Sequence, residues 1–138
     1  MLTMLNTKMA FYAARLGFRV EFSVDMSKAS KPFTTKIYSG DIVRDYEDLS
    51  GGQKQRIDVC IAFAMNDVSN MDSDISLIGM DEVTKELDAE GLEIFFELLR
   101  LKAKDKSVYL ISHLPTLDAM NCRIINVDFD EDGHTKFS

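Results

Sequence analysis

Residues 49–53 read Leu-Ser-Gly-Gly-Gln and open directly onto a stretch of helical periodicity, and no other segment limits the fold so tightly. Ser50 followed by Gln53 is a capping-box pattern: the hydroxyl accepts from the N–H of residue 53 while the amide reaches back to the N–H of residue 50. Behind it Ile57, Cys60, Ile61, Ala64, Met65 and Val68 recur at helical spacing, so a helix begins here and buries one face. Gly51 and Gly52 leave the first-turn N–H groups uncovered, and an oxyanion can approach the positive end of the helix. A well-capped helix start with two incidental glycines has the same local chemistry. Five specified residues coincide by chance only about once per million positions, however, which favours an anion-facing motif.

Upstream of this point the rhythm is different. Leu2, Leu5, Met9, Tyr12 and Leu16 follow the three-four spacing of a coiled-coil seam, and an amphipathic helix packed on its own domain would show the same spacing. Gly17 is a natural stop for that helix. Val20, Phe22 and Val24 then alternate with Arg19, Glu21 and Ser23, the pattern of a half-buried strand. A loop over Asp25–Phe33 leads to a second strand, Thr34–Tyr38, and the turn residues Ser39-Gly40-Asp41. Downstream, strands are expected at Ile75–Met80, Ser107–Ile111 and Arg123–Phe129. Helices are expected from Asp88 to about Lys102 and again after Pro115, and Glu131-Asp132-Gly133 would turn a terminal hairpin. Strands alternating with helices predict an α/β lobe, with a mainly parallel sheet flanked by helices and preceded by a short helix and two strands.

With 138 residues the chain suits one compact core, and no apolar run reaches the roughly 18 residues of a membrane span. The first residues lack the pattern of a secretory signal, so a cytoplasmic setting is expected (the host cytoplasm if phage-encoded). Cys60 falls at an apolar helical position and reads as a small buried hydrophobe; two cysteines and two histidines this scattered make no zinc site. The net charge of −7 argues against an extensive nucleic-acid surface. It is unevenly spread, however: residues 1–40 carry six Lys/Arg against two acids. That basic third is either a phosphate-facing surface or an ordinary solvated face.

The second chemical element is the apolar run Ile75–Met80 ending in Asp81-Glu82. Carboxylates at the C-terminal end of a parallel strand lie where α/β proteins bind ligands. Adjacent acids can divide the work there, Asp81 holding Mg²⁺ through water and Glu82 orienting or deprotonating an attacking water. The run Leu49-Ser-Gly-Gly-Gln-Lys-Gln-Arg56, with Asp81-Glu82 following 28 residues after Gln53, resembles the ABC ATPases. The resemblance identifies residues 49–53 with the signature motif, which in that family caps the γ-phosphate of ATP held by the facing subunit. It likewise identifies Asp81-Glu82 with the Walker B carboxylates. Leu87-Asp88 matches the D-loop, although Asp88 also suits the N-cap of the next helix. His113, in Ile111-Ser-His, matches the switch histidine that contacts the γ-phosphate. Two departures are visible: Ser76 and Gly79 interrupt the usual apolar run, and Val83 replaces a common proline.

No GxxxxGK[ST] phosphate loop occurs in the chain. The expectation is therefore one half of an ATP site, completed by an N-terminal Walker A lobe and a second ATPase head. The seam-like helix and two strands before the signature resemble the SMC-like DNA-repair ATPases, in particular SbcC and the large subunit of phage recombination endonucleases. Residues 1–17 would then be the re-entry of a coiled coil, and residues 18–138 the C-terminal lobe. That resemblance implies ATP and Mg²⁺ as cofactors, a nuclease subunit and DNA as partners, and no membrane. A transporter ATPase fragment and a non-hydrolysing dimerisation module are the competing expectations.

Overall fold

The computed structural model describes residues 1–27, 32–71, 75–113, 122–130, 132 and 134–138. Helix α1 spans Leu2–Ala13 and tightens into a 3₁₀ turn over Ala14–Leu16. It stops where Gly17 turns left-handed (φ +79°), a conformation that costs glycine nothing. Met9, Tyr12 and Leu16 are buried, and Leu2 and Leu5 are half-buried against the same cluster. The three-four spacing here serves packing inside the lobe.

Strands β1 (Arg19–Val24), β2 (Phe33–Ser39) and β3 (Ile42–Arg44) form an antiparallel sheet in that order. Val20 opposes Ile37, and both are buried with Phe22. The alternation expected of β1 fails at Val24, which is about half exposed where the strand outruns the helix beneath it. The Asn6 side chain pairs with both the N–H and the C=O of Phe22 at 2.8 Å, so α1 covers part of an edge that would otherwise be bare. Strand β3 was not foreseen; three residues carry too short a pattern, and Ile42 and Val43 are exposed.

Helix α2 (Gly51–Ser69) buries Ile57, Val59, Cys60, Phe63 and Ala64. Met65, expected inside, is exposed, because the buried stripe runs through Phe63 instead. Burial pushes the Cys60 thiol up to about 12, consistent with a packing role. Strand β4 (Leu77–Asp81), helix α3 (Ala89–Lys102) and strand β5 (Ser107–Ile111) form a parallel crossover unit, with Ile78 opposite Val108 and Met80 opposite Leu110. The aromatic rings of Tyr12, Phe63 and Phe95 step across α1, α2 and α3 at 5.4 and 6.3 Å.

The expected parallel sheet is present in part, as the β4–β5 pair with α3 crossing between its strands. Among the described residues, parallel pairing is confined to β4 and β5, since the first three strands are joined without helical crossovers. The expected core strand Arg123–Phe129 is corrected. Only Val127–Phe129 (β6) is extended, and it pairs antiparallel with Thr135–Phe137 (β7) in the anticipated terminal hairpin. All three residues of β6 are exposed, because no described helix covers them. The helix expected after Pro115 lies outside the described residues, as do positions 131 and 133 of the Glu131–Gly133 turn. No helix of the described residues is long and apolar enough to cross a membrane.

One buried charge ties the three helices together. Lys102, only 7% exposed, bonds to Asp67, which also accepts from the Tyr12 hydroxyl at 2.7 Å and faces Lys8 at 3.3 Å. Burial holds Lys102 below its ordinary pKa even with Asp67 beside it. Asp67→Asn would leave a buried ammonium without its counter-charge, and we expect a loss of about 3 kcal/mol in urea denaturation. A loss below about 1 kcal/mol would show that the pair is solvated like a surface bridge.

Candidate functional site

The start of α2 forms as its sequence dictates. Ser50 is the N-cap, its Oγ accepts from the Gln53 N–H (3.3 Å), and the Gln53 side chain accepts from the Ser50 N–H (3.1 Å). Leu49 is buried and anchors the entry to the helix. The two glycines have a second reason to be there. A Cβ on Gly52 would sit 2.9 Å from the Glu86 carbonyl oxygen, and one on Gly51 would sit 2.5 Å from the Glu86 carboxylate. The helix start is thus packed tightly against the turn that follows β4, and Gly52 meets backbone that cannot move aside.

Asp81 ends β4, and the chain then bends sharply. Glu82 has φ +48°, the only non-glycine residue with positive φ among those described. Such a conformation costs on the order of 1–3 kcal/mol and persists only where neighbours enforce it. Here the Glu82 N–H donates to the Ile111 carbonyl (2.9 Å), adding one more bond beyond the β4–β5 ladder. The Glu82 carboxylate lies 2.9 Å from His113 Nε2, and buried Thr84 places its hydroxyl 3.2 Å from that of Ser112. Both parallel strand ends are therefore clasped. Val83 in place of proline agrees with this bend, because a proline would push the preceding residue toward extended backbone. Gly79 has open space where a Cβ would project, and Ser76 precedes the strand, so neither departure interrupts the β4–β5 pairing.

Asp88 is the N-cap of α3 and accepts from the Gly91 N–H at 2.8 Å. The same oxygen takes the Arg56 guanidinium at 2.5 Å.

A cleft of about 650 Å³ runs between α2 and the end of β4, lined by Gly51, Lys54, Asp58, Asp81, Glu82 and Lys85, among others. It brings the glycine-rich helix start and both carboxylates onto one surface; Asp88 and His113 stand outside its lining, His113 reaching it through Glu82. Behind the cleft wall the Tyr46 hydroxyl lies 2.8 Å from both Asp58 oxygens, and burial with that carboxylate pushes Tyr46 up to about 12. Asp81 and Glu82 are exposed oxygen donors suited to a hard cation. No group of three or more His, Cys, Asp or Glu side chains placed to hold a metal ion gathers among the described residues.

The reading of the sequence missed the Glu82–His113 contact and the Arg56–Asp88 pair. Neither had a local signal, since the partners stand 31 and 32 residues apart.

No family model matches the chain. Over 99 residues, 69% of the chain, it is 28% identical to a DNA double-strand break repair Rad50 ATPase from Thermoplasma volcanium. Over 66 residues, 47% of the chain, it is 35% identical to a putative ABC transporter ATP-binding protein from Methanosarcina mazei. The matched segments span 11% and 12% of those proteins. In fold, the chain superposes over 99% of its length on an SMC head bound to the C-terminal winged-helix domain of ScpA (TM-score 0.82, 19% identity, 42% of that chain). It does so equally on an SMC ATPase described in connection with ATP-driven dimerisation (TM-score 0.83, 18% identity, 83% of that chain). The chain is thus similar in sequence to a Rad50 ATPase and in fold to SMC ATPase heads.

Proposed function

We propose that this SMC/Rad50-like head lobe is the C-terminal half of an ATP-binding and hydrolysing machine that acts in DNA double-strand-break repair or recombination. The observation that carries the reading is the Glu82–His113 contact at two parallel strand ends, with Glu82 on the cleft that Gly51 at the start of α2 also lines. Glu82 is the base that takes a proton from the attacking water, and His113 orients that carboxylate and senses the γ-phosphate. Asp81 is the Mg²⁺ carboxylate. Leu49, Ser50, Gly51, Gly52 and Gln53 cap the phosphate held by a facing head, through the uncovered N–H groups of the helix. When bound, Mg²⁺–ATP supplies the bond to be broken and the charge neutralisation that makes it breakable. Asp88 belongs to the D-loop in this reading.

The partners in this reading are an N-terminal Walker A lobe, a second head, a nuclease subunit and DNA. Residues 1–17 are where a coiled coil re-enters the lobe. A transporter ATPase is the second reading, favoured by the likeness to the Methanosarcina protein. The helix and antiparallel sheet ahead of the signature support the repair branch instead, since the fold match to SMC heads runs through them.

The 138-residue chain alone should hydrolyse ATP no faster than background, and mixing it with a matching phosphate-loop lobe should restore Mg²⁺-dependent turnover. Steady-state phosphate release provides the measurement. Robust hydrolysis by the purified chain would overturn the half-site assignment. ATP-dependent association without turnover would make it a dimerisation module.

A further inference from the structure

We propose that Arg56 is a positioning residue that locks the start of the signature helix to the 82–88 turn, so that a phosphate captured at one is felt by Glu82 at the other. The proposal rests on the assignment of Glu82 as base, and the contacts that carry it are independent of that assignment.

Arg56 lies one turn into α2 and its side chain is only 13% exposed. Its guanidinium meets Asp88 at 2.5 Å and Glu90 at 3.4 Å, across 32 and 34 residues of sequence. Each charge steadies the other: hydrogen bonding to Asp88 raises Arg56 above its ordinary pKa, and hydrogen bonding from Arg56 holds Asp88 below the usual carboxylate range. The neighbouring residue joins in, since the Gln55 side chain accepts from the Glu86 N–H at 2.7 Å. The close approach of Gly52 to the Glu86 carbonyl seals the same face. Gly91 completes the fit, for a Cβ there would stand 2.9 Å from Asp88 and 3.1 Å from Arg56.

The turn starts at Glu82, in a left-handed conformation, and ends at Asp88. A residue held at φ +48° stays there only where the surrounding structure enforces it. The Ile111 carbonyl fixes one flank, and Arg56 fixes the other through Asp88. A displacement of the α2 start toward a phosphate is therefore passed to the turn as a rigid push rather than absorbed by it. Asp88 already serves Gly91 and Arg56 with one oxygen, so its side chain belongs to this internal brace.

The test has two arms. In the 138-residue chain, amide exchange at Glu86 and Gly91 should quicken by about tenfold or more in Arg56→Ala, while Phe63 and Ala64 in the middle of α2 keep their protection. Asp88→Asn, which still caps α3, should quicken Glu86 in the same way and guards against a variant that merely fails to fold. In the head reconstituted with a phosphate-loop lobe, Arg56→Ala should lower kcat about tenfold with KM for ATP within about twofold. Arg56→Lys, which has one point charge for two carboxylates, should recover only part of that loss. Unchanged exchange at Glu86 and Gly91 in both variants would overturn the brace. Faster exchange with unchanged kcat would overturn the coupling to Glu82. Should the unsubstituted head show no turnover at all, the base assignment falls, and the exchange arm alone still decides whether Arg56 braces the turn.

Discussion

Glu82→Gln in the reconstituted head should retain ATP and Mg²⁺ binding and lose hydrolysis by on the order of 10²–10⁴-fold. The amide keeps the shape of the side chain and can still hydrogen-bond His113, which lies 2.9 Å from the carboxylate. What it cannot do is accept a proton from water. Asp81 is untouched, so the carboxylate assigned to the metal remains. The backbone cost of the left-handed bend is unchanged as well, because both residues meet the same φ +48°. With the chemical step blocked and nucleotide retained, heads should accumulate in their ATP-bound, paired form, visible as a shift in size-exclusion chromatography with ATP. Normal hydrolysis by this variant would remove Glu82 from the role of base. His113→Ala tested beside it separates orientation from proton transfer: losing the imidazole should cost less than losing the carboxylate.

The parts of this fold that could be read from the sequence are those governed by local chemistry. Ser50 and Asp88 announce the starts of α2 and α3 through side-chain caps that act within three residues, and both helices begin where the caps place them. The five-residue span of β5 was legible because apolar residues are bounded by Lys106 and Ser112. What could not be read depends on pairing across long separations. Lys102 ends an amphipathic helix and has the look of a solvated lysine, yet it is buried against Asp67, 35 residues away. Arg56 and Asp88 are likewise joined only by the crossover through β4. The same holds for strand register. Val24 and the residues of β6 carry patterns suited to burial, but burial requires an opposing element, and none stands over them among the described residues. At the candidate site, residue types and spacing pointed to Ser50, Asp81 and Glu82, and the family resemblance added Asp88 and His113. They did not reveal that Glu82 is strained, or that Gly52 is packed against the Glu86 carbonyl.

The signature acting across two heads is the claim that most separates this reading from a generic nucleotide-binding domain, and Ser50→Arg tests it. Ser50 stands at the exposed mouth of α2, its hydroxyl occupied by the Gln53 N–H. Arginine removes that cap at a cost of roughly 1 kcal/mol, small enough for a lobe with a continuous core to stay folded. It also projects a long side chain into the space before the helix end, where the phosphate of a facing head must enter. Each reconstituted head should still bind ATP with near-normal affinity by calorimetry, because its own phosphate loop is unaltered. ATP-induced dimerisation, followed by light scattering, should be lost, and hydrolysis with it. Dimerisation equal to that of the parent would refute the role in trans. Loss of ATP binding by the single head would instead move the signature into the head's own site, provided a thermal melt shows the variant folded. Mixing Ser50→Arg heads with Glu82→Gln heads sharpens the outcome further. If the signature of one head serves the ATP of the other, a mixed pair has one site closed by the intact signature of the Glu82→Gln head. That site lies on the Ser50→Arg head, which retains its own Glu82, so the mixture should regain part of the turnover that neither variant shows alone. A site built within a single head would gain nothing from the mixture.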